Sequence, residues 1–111
     1  MAALKPDQLD AVARVFRVLA EPTRLAILQE LRRKPRTVNE LVESLGAKQA
    51  NVSKQLGILF DAGLLDRERS GNCVVYSIRE PAIFELCEIV CGKLQRDARR
   101  QYATFAGKPR R

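Results

Sequence analysis

Apolar residues recur at intervals of three and four over Leu9, Val12, Ala13, Phe16, Leu19 and Ala20, which predicts an amphipathic helix over about 7–20. Pro6 and Asp7 stand at its start, where an acid suits the positive helix end. Glu21-Pro22 breaks that helix, and Pro22 fits the first turn of a second one carrying Leu25, Ile27, Leu28 and Leu31. The second helix should end at Arg32-Arg33-Lys34-Pro35, basic residues at the negative end followed by a proline stop. Thr37-Val38-Asn39-Glu40 has the spacing of a capping box, and it opens a short third helix through Leu41, Val42 and Leu45. Gly46 ends it and permits a tight turn. A fourth helix is expected from about Lys48 to Ala62, with Val52, Leu56, Leu59 and Phe60 inward and Gly63 as its stop.

The period then changes. Leu64 to Arg69 and Cys73 to Ile78 read as short strands, with Ser70-Gly71-Asn72 as the hairpin turn between them. Glu80-Pro81 starts a long last helix through about Phe105. The expected fold class is mainly α with a small β-hairpin, in the order α-α-α-α-β-β-α. One domain over 1–106 is expected, followed by a basic frayed tail over 107–111.

Composition narrows the chemistry. The 111 residues include no histidine, which removes Ser-His-Asp and Cys-His catalysis and histidine-ligated zinc together. No phosphate-cradling glycine loop or paired-carboxylate signature is present, so an enzyme is not expected, nor a small-molecule substrate. No apolar run is long enough to cross a membrane, and no apolar leader follows a basic start, so the cytoplasm is the expected location. Three cysteines, Cys73, Cys87 and Cys91, do not make a disulfide framework. The net charge of +7 is unevenly spread. Residues 1–91 carry 13 basic and 12 acidic side chains, and residues 92–111 carry seven and one. Such a tail suits an anionic partner, nucleic acid above all, or serves solubility.

The stretch from Thr37 to Ala62, a short helix, a glycine turn and a second helix, has the layout of a helix-turn-helix. Lys48, Gln49, Asn51, Ser53, Lys54 and Gln55 cluster in the N-terminal half of the second helix, the part that reaches base edges in a major groove. Gln and Asn can pair with adenine, and Lys can reach guanine or phosphate. Gln49 and Asn51 are expected to read bases and Lys54 to bind phosphate. The hairpin directly behind supplies Arg67, Arg69 and Asn72 as a wing, completing a winged-helix order. Arg32, Arg33, Lys34 and Arg36 read better as complements to a helix dipole than as phosphate contacts. Arg24 lies inside an apolar stripe and is expected to fix a helix terminus by hydrogen bonds.

With these residues in view, the chain resembles the ArsR/SmtB family of bacterial winged-helix repressors from about Val12 to Leu94. Three blocks carry the resemblance in order: Phe16 to Leu28, including Ala20-Glu21-Pro22-Thr23-Arg24-Leu25; Gly46 to Leu56; and Asp61-Ala62-Gly63-Leu64-Leu65. The resemblance implies a homodimer built on the first and last helices, bound to an imperfect palindrome in double-stranded DNA and released by an inducer. The last helix agrees, since Ile83, Phe84, Leu86, Cys87, Ile89, Val90, Cys91 and Leu94 make an apolar surface too wide for one packing contact.

The sensor sites that the resemblance implies are mostly missing. The arsenic-type Cys-x-Cys after Glu-Leu on the third helix is replaced by Glu40-Leu41-Val42-Glu43-Ser44-Leu45. The zinc-type site on the last helix needs histidine, and the persulfide-type pair needs a cysteine between Pro22 and Arg33. What remains is Cys87 and Cys91, four apart on one helix face. Three readings stand open for them: plain packing, a soft metal or metalloid ion shared across a dimer, or thiol oxidation. Cys73, by the hairpin turn, is not expected to be a ligand. A winged helix used for protein docking and a constitutive repressor without any inducer are the alternatives to an inducible repressor.

Overall fold

The computed structural model describes residues 2–105. The tail expected over 107–111 lies outside the described residues, with Lys108, Arg110 and Arg111. The chain forms two units, one through Glu80 and one from Pro81 onward.

The first unit holds α1 (Pro6–Leu19), α2 (Pro22–Arg33), β1 (Arg36–Thr37), α3 (Val38–Leu45), α4 (Gln49–Asp61), β2 (Leu65–Ser70) and β3 (Cys73–Ile78). Its helix ends follow from local chemistry. The Glu21 carboxylate accepts from the Thr23 and Arg24 backbone N–H groups at 3.1 and 3.0 Å and so caps α2. Those bonds, the one from Thr23 foremost, hold the Glu21 carboxyl below its ordinary pKa. At α3 the capping box is complete: the Glu40 N–H donates to Thr37 Oγ1, and the Thr37 N–H donates to the Glu40 carboxylate at 2.8 Å. The same Thr37 bond lowers the Glu40 pKa. Gly46 caps α3 in the left-handed region, at φ 62°. α4 ends in a Schellman motif around Gly63 at φ 78°, with Gly63 N–H donating to the Phe60 carbonyl and Leu64 N–H to that of Leu59.

The β-hairpin is in register from Leu65 opposite Ile78 to Ser70 opposite Cys73. Its two-residue loop has positive φ at Gly71 but not at Asn72, the pattern of a type II′ turn. One element was not expected. Arg36–Thr37 pairs antiparallel with β3 at Tyr76 and Val75, giving a three-stranded sheet in the order β1-β3-β2. The short extended stretch between Pro35 and the α3 cap thus supplies an edge to the wing.

The core of this unit is contributed by Leu19, Ile27, Leu28, Leu31, Leu41, Val52, Leu56, Leu59, Leu64, Leu65 and Tyr76. Burying each large side chain is worth about 1.5–3 kcal/mol. α1 contributes only Leu19 to it, and Leu9, Val12, Val15 and Phe16 stay exposed. The apolar stripe is thus uncovered along most of α1.

The second unit is the helix α5 (Ile83–Phe105), with a Lys93–Asp97 ion pair one turn apart. Ile89, Val90 and Leu94 are exposed on it at 67%, 50% and 58%. No helix among the described residues is long and apolar enough to cross a membrane.

Candidate nucleic-acid interface

α4 is positioned from its inner face. Val52, Gln55, Leu56 and Leu59 follow a three-four spacing and are buried, and α4 packs against α2, α3 and β2. The outer surface of its first two turns therefore has to be polar. Lys48, just ahead of the helix, and Gln49, Asn51, Ser53 and Lys54 are all exposed there. Five of the six residues expected on the reading surface thus share one accessible N-terminal region.

Gln55 is the correction. It is 7% exposed, the one buried polar residue of the described chain, and it does not face outward. A buried amide needs partners, and Gln55 has two. Its Oε1 accepts from Arg24 at 2.6 Å, and its Nε2 donates to Asn51 Oδ1 at 3.0 Å. Arg24 also donates through Nε to the Val18 carbonyl at 2.6 Å and through its second terminal nitrogen to the Arg17 carbonyl at 3.3 Å. The expected helix-terminus role of Arg24 is therefore present: it donates to last-turn carbonyls of α1, that of Val18 and that of Arg17, which also accepts from the Ala20 N–H. Its link to Gln55 was missed, and only the oddity of a cation in an apolar stripe hinted at it.

The wing stands beside α4. Arg67 and Arg69 lie two apart on β2, so they share one face of the strand, and both are exposed. The Arg67 guanidinium sits over the Phe60 ring, 3.9 Å from its centroid. This cation–π contact ties the wing to the end of α4. Asn72 is exposed at the hairpin tip, next to the equally exposed Cys73. At the junction of α2 and β1, Arg36 pairs with Glu30 at 3.4 Å and Ser44 donates to the same carboxylate, so Arg36 is used internally.

Cys87 is half-buried and Cys91 exposed on α5, and both are free thiols. Among the described residues no three His, Cys, Asp or Glu side chains are placed to hold a metal ion. On α5 the described residues offer a pair of soft sulfur donors, Cys87 and Cys91.

Residues 19–68, from the end of α1 into β2, match a helix-turn-helix domain family. Over 78 residues the chain is 42% identical to the uncharacterized HTH-type transcriptional regulator Rv0081 of Mycobacterium tuberculosis, covering 69% of this chain and 68% of that protein. The crystal structure of Rv0081 superposes with a TM-score of 0.78 at 36% identity, over 90% of this chain and 100% of that one. The solution structure of the homodimeric winged helix-turn-helix DNA-binding domain of Mb0332 from Mycobacterium bovis, a possible ArsR-family transcriptional regulator, matches at TM-score 0.71 and 30% identity, over 86% of this chain and 91% of that one. The chain belongs to the ArsR/SmtB family. A further relative, the probable mercury resistance operon repressor of Streptomyces lividans, is 43% identical over 77 residues, 69% of this chain and 62% of that protein. As an ArsR/SmtB protein the chain is a winged helix-turn-helix transcriptional regulator, and α3 and α4 are its helix-turn-helix.

Proposed function

We propose that the chain acts as a homodimeric repressor that seats α4 of each copy in a major groove of a palindromic operator. The observation that carries this reading is the two-faced α4: its inner face is consumed by the core, while Lys48, Gln49, Asn51, Ser53 and Lys54 stand exposed at its N-terminal end. In a helix-turn-helix that end meets the base edges. Gln49 and Asn51 read bases, Ser53 and Lys54 contact the phosphate backbone, and Lys48 guards the entry to the helix. Arg67, Arg69 and Asn72 follow the flanking backbone as the wing.

The dimer is supported by two exposed apolar faces, one on α1 and one on α5, together with the homodimeric state of Mb0332. Exposed patches of this kind in a regulator mark a protein surface, and a second copy is the partner that fits. The symmetry then sets the two α4 helices one DNA turn apart, about 34–36 Å.

Cys87 and Cys91 are the proposed inducer site, through a soft metal ion or thiol oxidation. Two thiols at i and i+4 on α5 suit a soft ion, and two copies meeting at a dyad supply four. Mercury resistance in the Streptomyces lividans relative supports this choice of ion class.

The experiment is selection from a random double-stranded DNA library at two salt concentrations, with and without mercuric ion, arsenite or peroxide. An enriched palindrome lost on adding one of these agents supports repressor and switch together. A palindrome indifferent to all of them leaves the thiols as packing. No enriched sequence overturns the DNA reading in favour of protein docking.

A further inference from the structure

The hydrogen-bond chain Arg24–Gln55–Asn51 has a direction, and the direction has a consequence at the α4 surface. A guanidinium carries donors only, so the Gln55 atom that meets Arg24 at 2.6 Å has to be the oxygen. The amide nitrogen of Gln55 is then on the other arm, and it donates to Asn51 at 3.0 Å. The Asn51 atom receiving it has to be Oδ1, because Nδ2 would set donor against donor. Asn51 Nδ2 is left on the outer arm of an exposed side chain. The start of the chain is itself fixed, since Arg24 is held by the carbonyls of Val18 and Arg17. Gln55 is 7% exposed, so water has little access to replace either bond.

We infer that Arg24 and Gln55 are positioning residues that fix the amide polarity of Asn51, so that Asn51 offers DNA a donor and reads an acceptor on the base edge. This deepens the proposed reading of α4 and rests on it. Paired recognition of adenine needs the Asn oxygen and nitrogen side by side at the base. With one Oδ1 lone pair held by Gln55, that mode is disfavoured. The outward NH₂ matches N7 or O6 of guanine, N7 of adenine and O4 of thymine, and it opposes the N4 amino group of cytosine.

The test compares wild type, Asn51→Ala and Gln55→Glu in selection from one DNA library. Asn51→Ala locates the base pair, as the one position per half-site where preference is lost. In Gln55→Glu one carboxylate oxygen still accepts from Arg24, but the other demands a donor. The Asn51 amide then turns over and presents Oδ1. Preference at that position is expected to swing by about tenfold from guanine or thymine toward cytosine, with the other positions unchanged. Enrichment by wild type with the same preference in Gln55→Glu overturns the inference alone. No enrichment by wild type overturns the reading on which it rests. Side-chain amide exchange in the free ¹⁵N-labelled wild type judges the relay independently of DNA and of how the variant folds. Slow Gln55 Nε2 protons beside fast Asn51 Nδ2 protons are expected, and the opposite order overturns the relay.

Discussion

α1 and α4 are nearly the same length, 14 and 13 residues, and both carry apolar side chains at three-four spacing. Their fates differ. α4 buries Val52, Leu56 and Leu59 completely, and Gln55 beside them. α1 buries Leu19 alone and leaves Phe16 51% exposed and Leu9 48% exposed. A helix whose apolar face is covered by its own chain has only a polar face to offer, and on α4 that face carries the proposed DNA contacts. A helix whose apolar face stays open offers that face, and on α1 it is proposed to meet a second copy. Periodicity thus tells which side of a helix wants burial, while the rest of the fold decides who buries it.

The comparison breaks most visibly with matched truncations. Leu56→Ala should cost about 2–5 kcal/mol of folding stability, because it empties a fully buried site in α4. Phe16→Ala removes a larger side chain but should cost well under that by denaturant unfolding of dilute protein. Its effect is expected in self-association, as a higher dissociation constant by sedimentation. Equal losses of folding stability would mean that α1 is covered within one copy.

Next in size comes Arg24→Ala, which leaves the Val18 carbonyl and the buried Gln55 oxygen without their donor. A loss of about 1–3 kcal/mol is expected on thermal or denaturant melting. The change sharpens the contrast between the helices, since Arg24 joins the end of α1 to the inner face of α4. A Gln55→Met exchange in the same background should be nearly neutral, as both ends of that bond are then apolar or absent.

The smallest effect concerns the caps that start α2 and α3. The Glu21 and Glu40 carboxyls are held below their ordinary value of 4.5 in the folded chain by backbone N–H donors. Their contribution is therefore full above that value and is lost as pH falls through the lowered folded values. Wild type should lose stability as pH drops below 4.5, and Glu21→Gln should flatten part of that slope while leaving neutral-pH stability slightly reduced. Identical slopes from pH-dependent melting would remove Glu21 from the capping account.

Much of this architecture was legible in the residues, for stated reasons. Thr37 and Glu40 at capping-box spacing, Gly46 and Gly63 after apolar runs, and Gly71 between two β-rich runs each mark a boundary through local backbone chemistry. The strand Arg36–Thr37 was not legible, because two residues carry no period and pair only with partners far along the chain, Tyr76 and Val75. Gln55 was placed on the reading surface because it is polar and follows Lys54. Its burial depends on Arg24, 31 residues distant, supplying the bond that makes a buried amide tolerable. Arg67 was legible as a wing cation but not as the partner of the Phe60 ring.

The most direct test of the central claim, that α4 carries the protein on DNA, is the salt dependence of operator affinity in wild type and Lys54→Ala. Each phosphate contact contributes about 0.9 to the slope of log affinity against log salt. A dimer that loses Lys54 from both copies should show a slope shallower by about two, with weaker binding throughout. An unchanged slope and affinity would contradict the account, because the exposed face of α4 would then not lie on the DNA backbone.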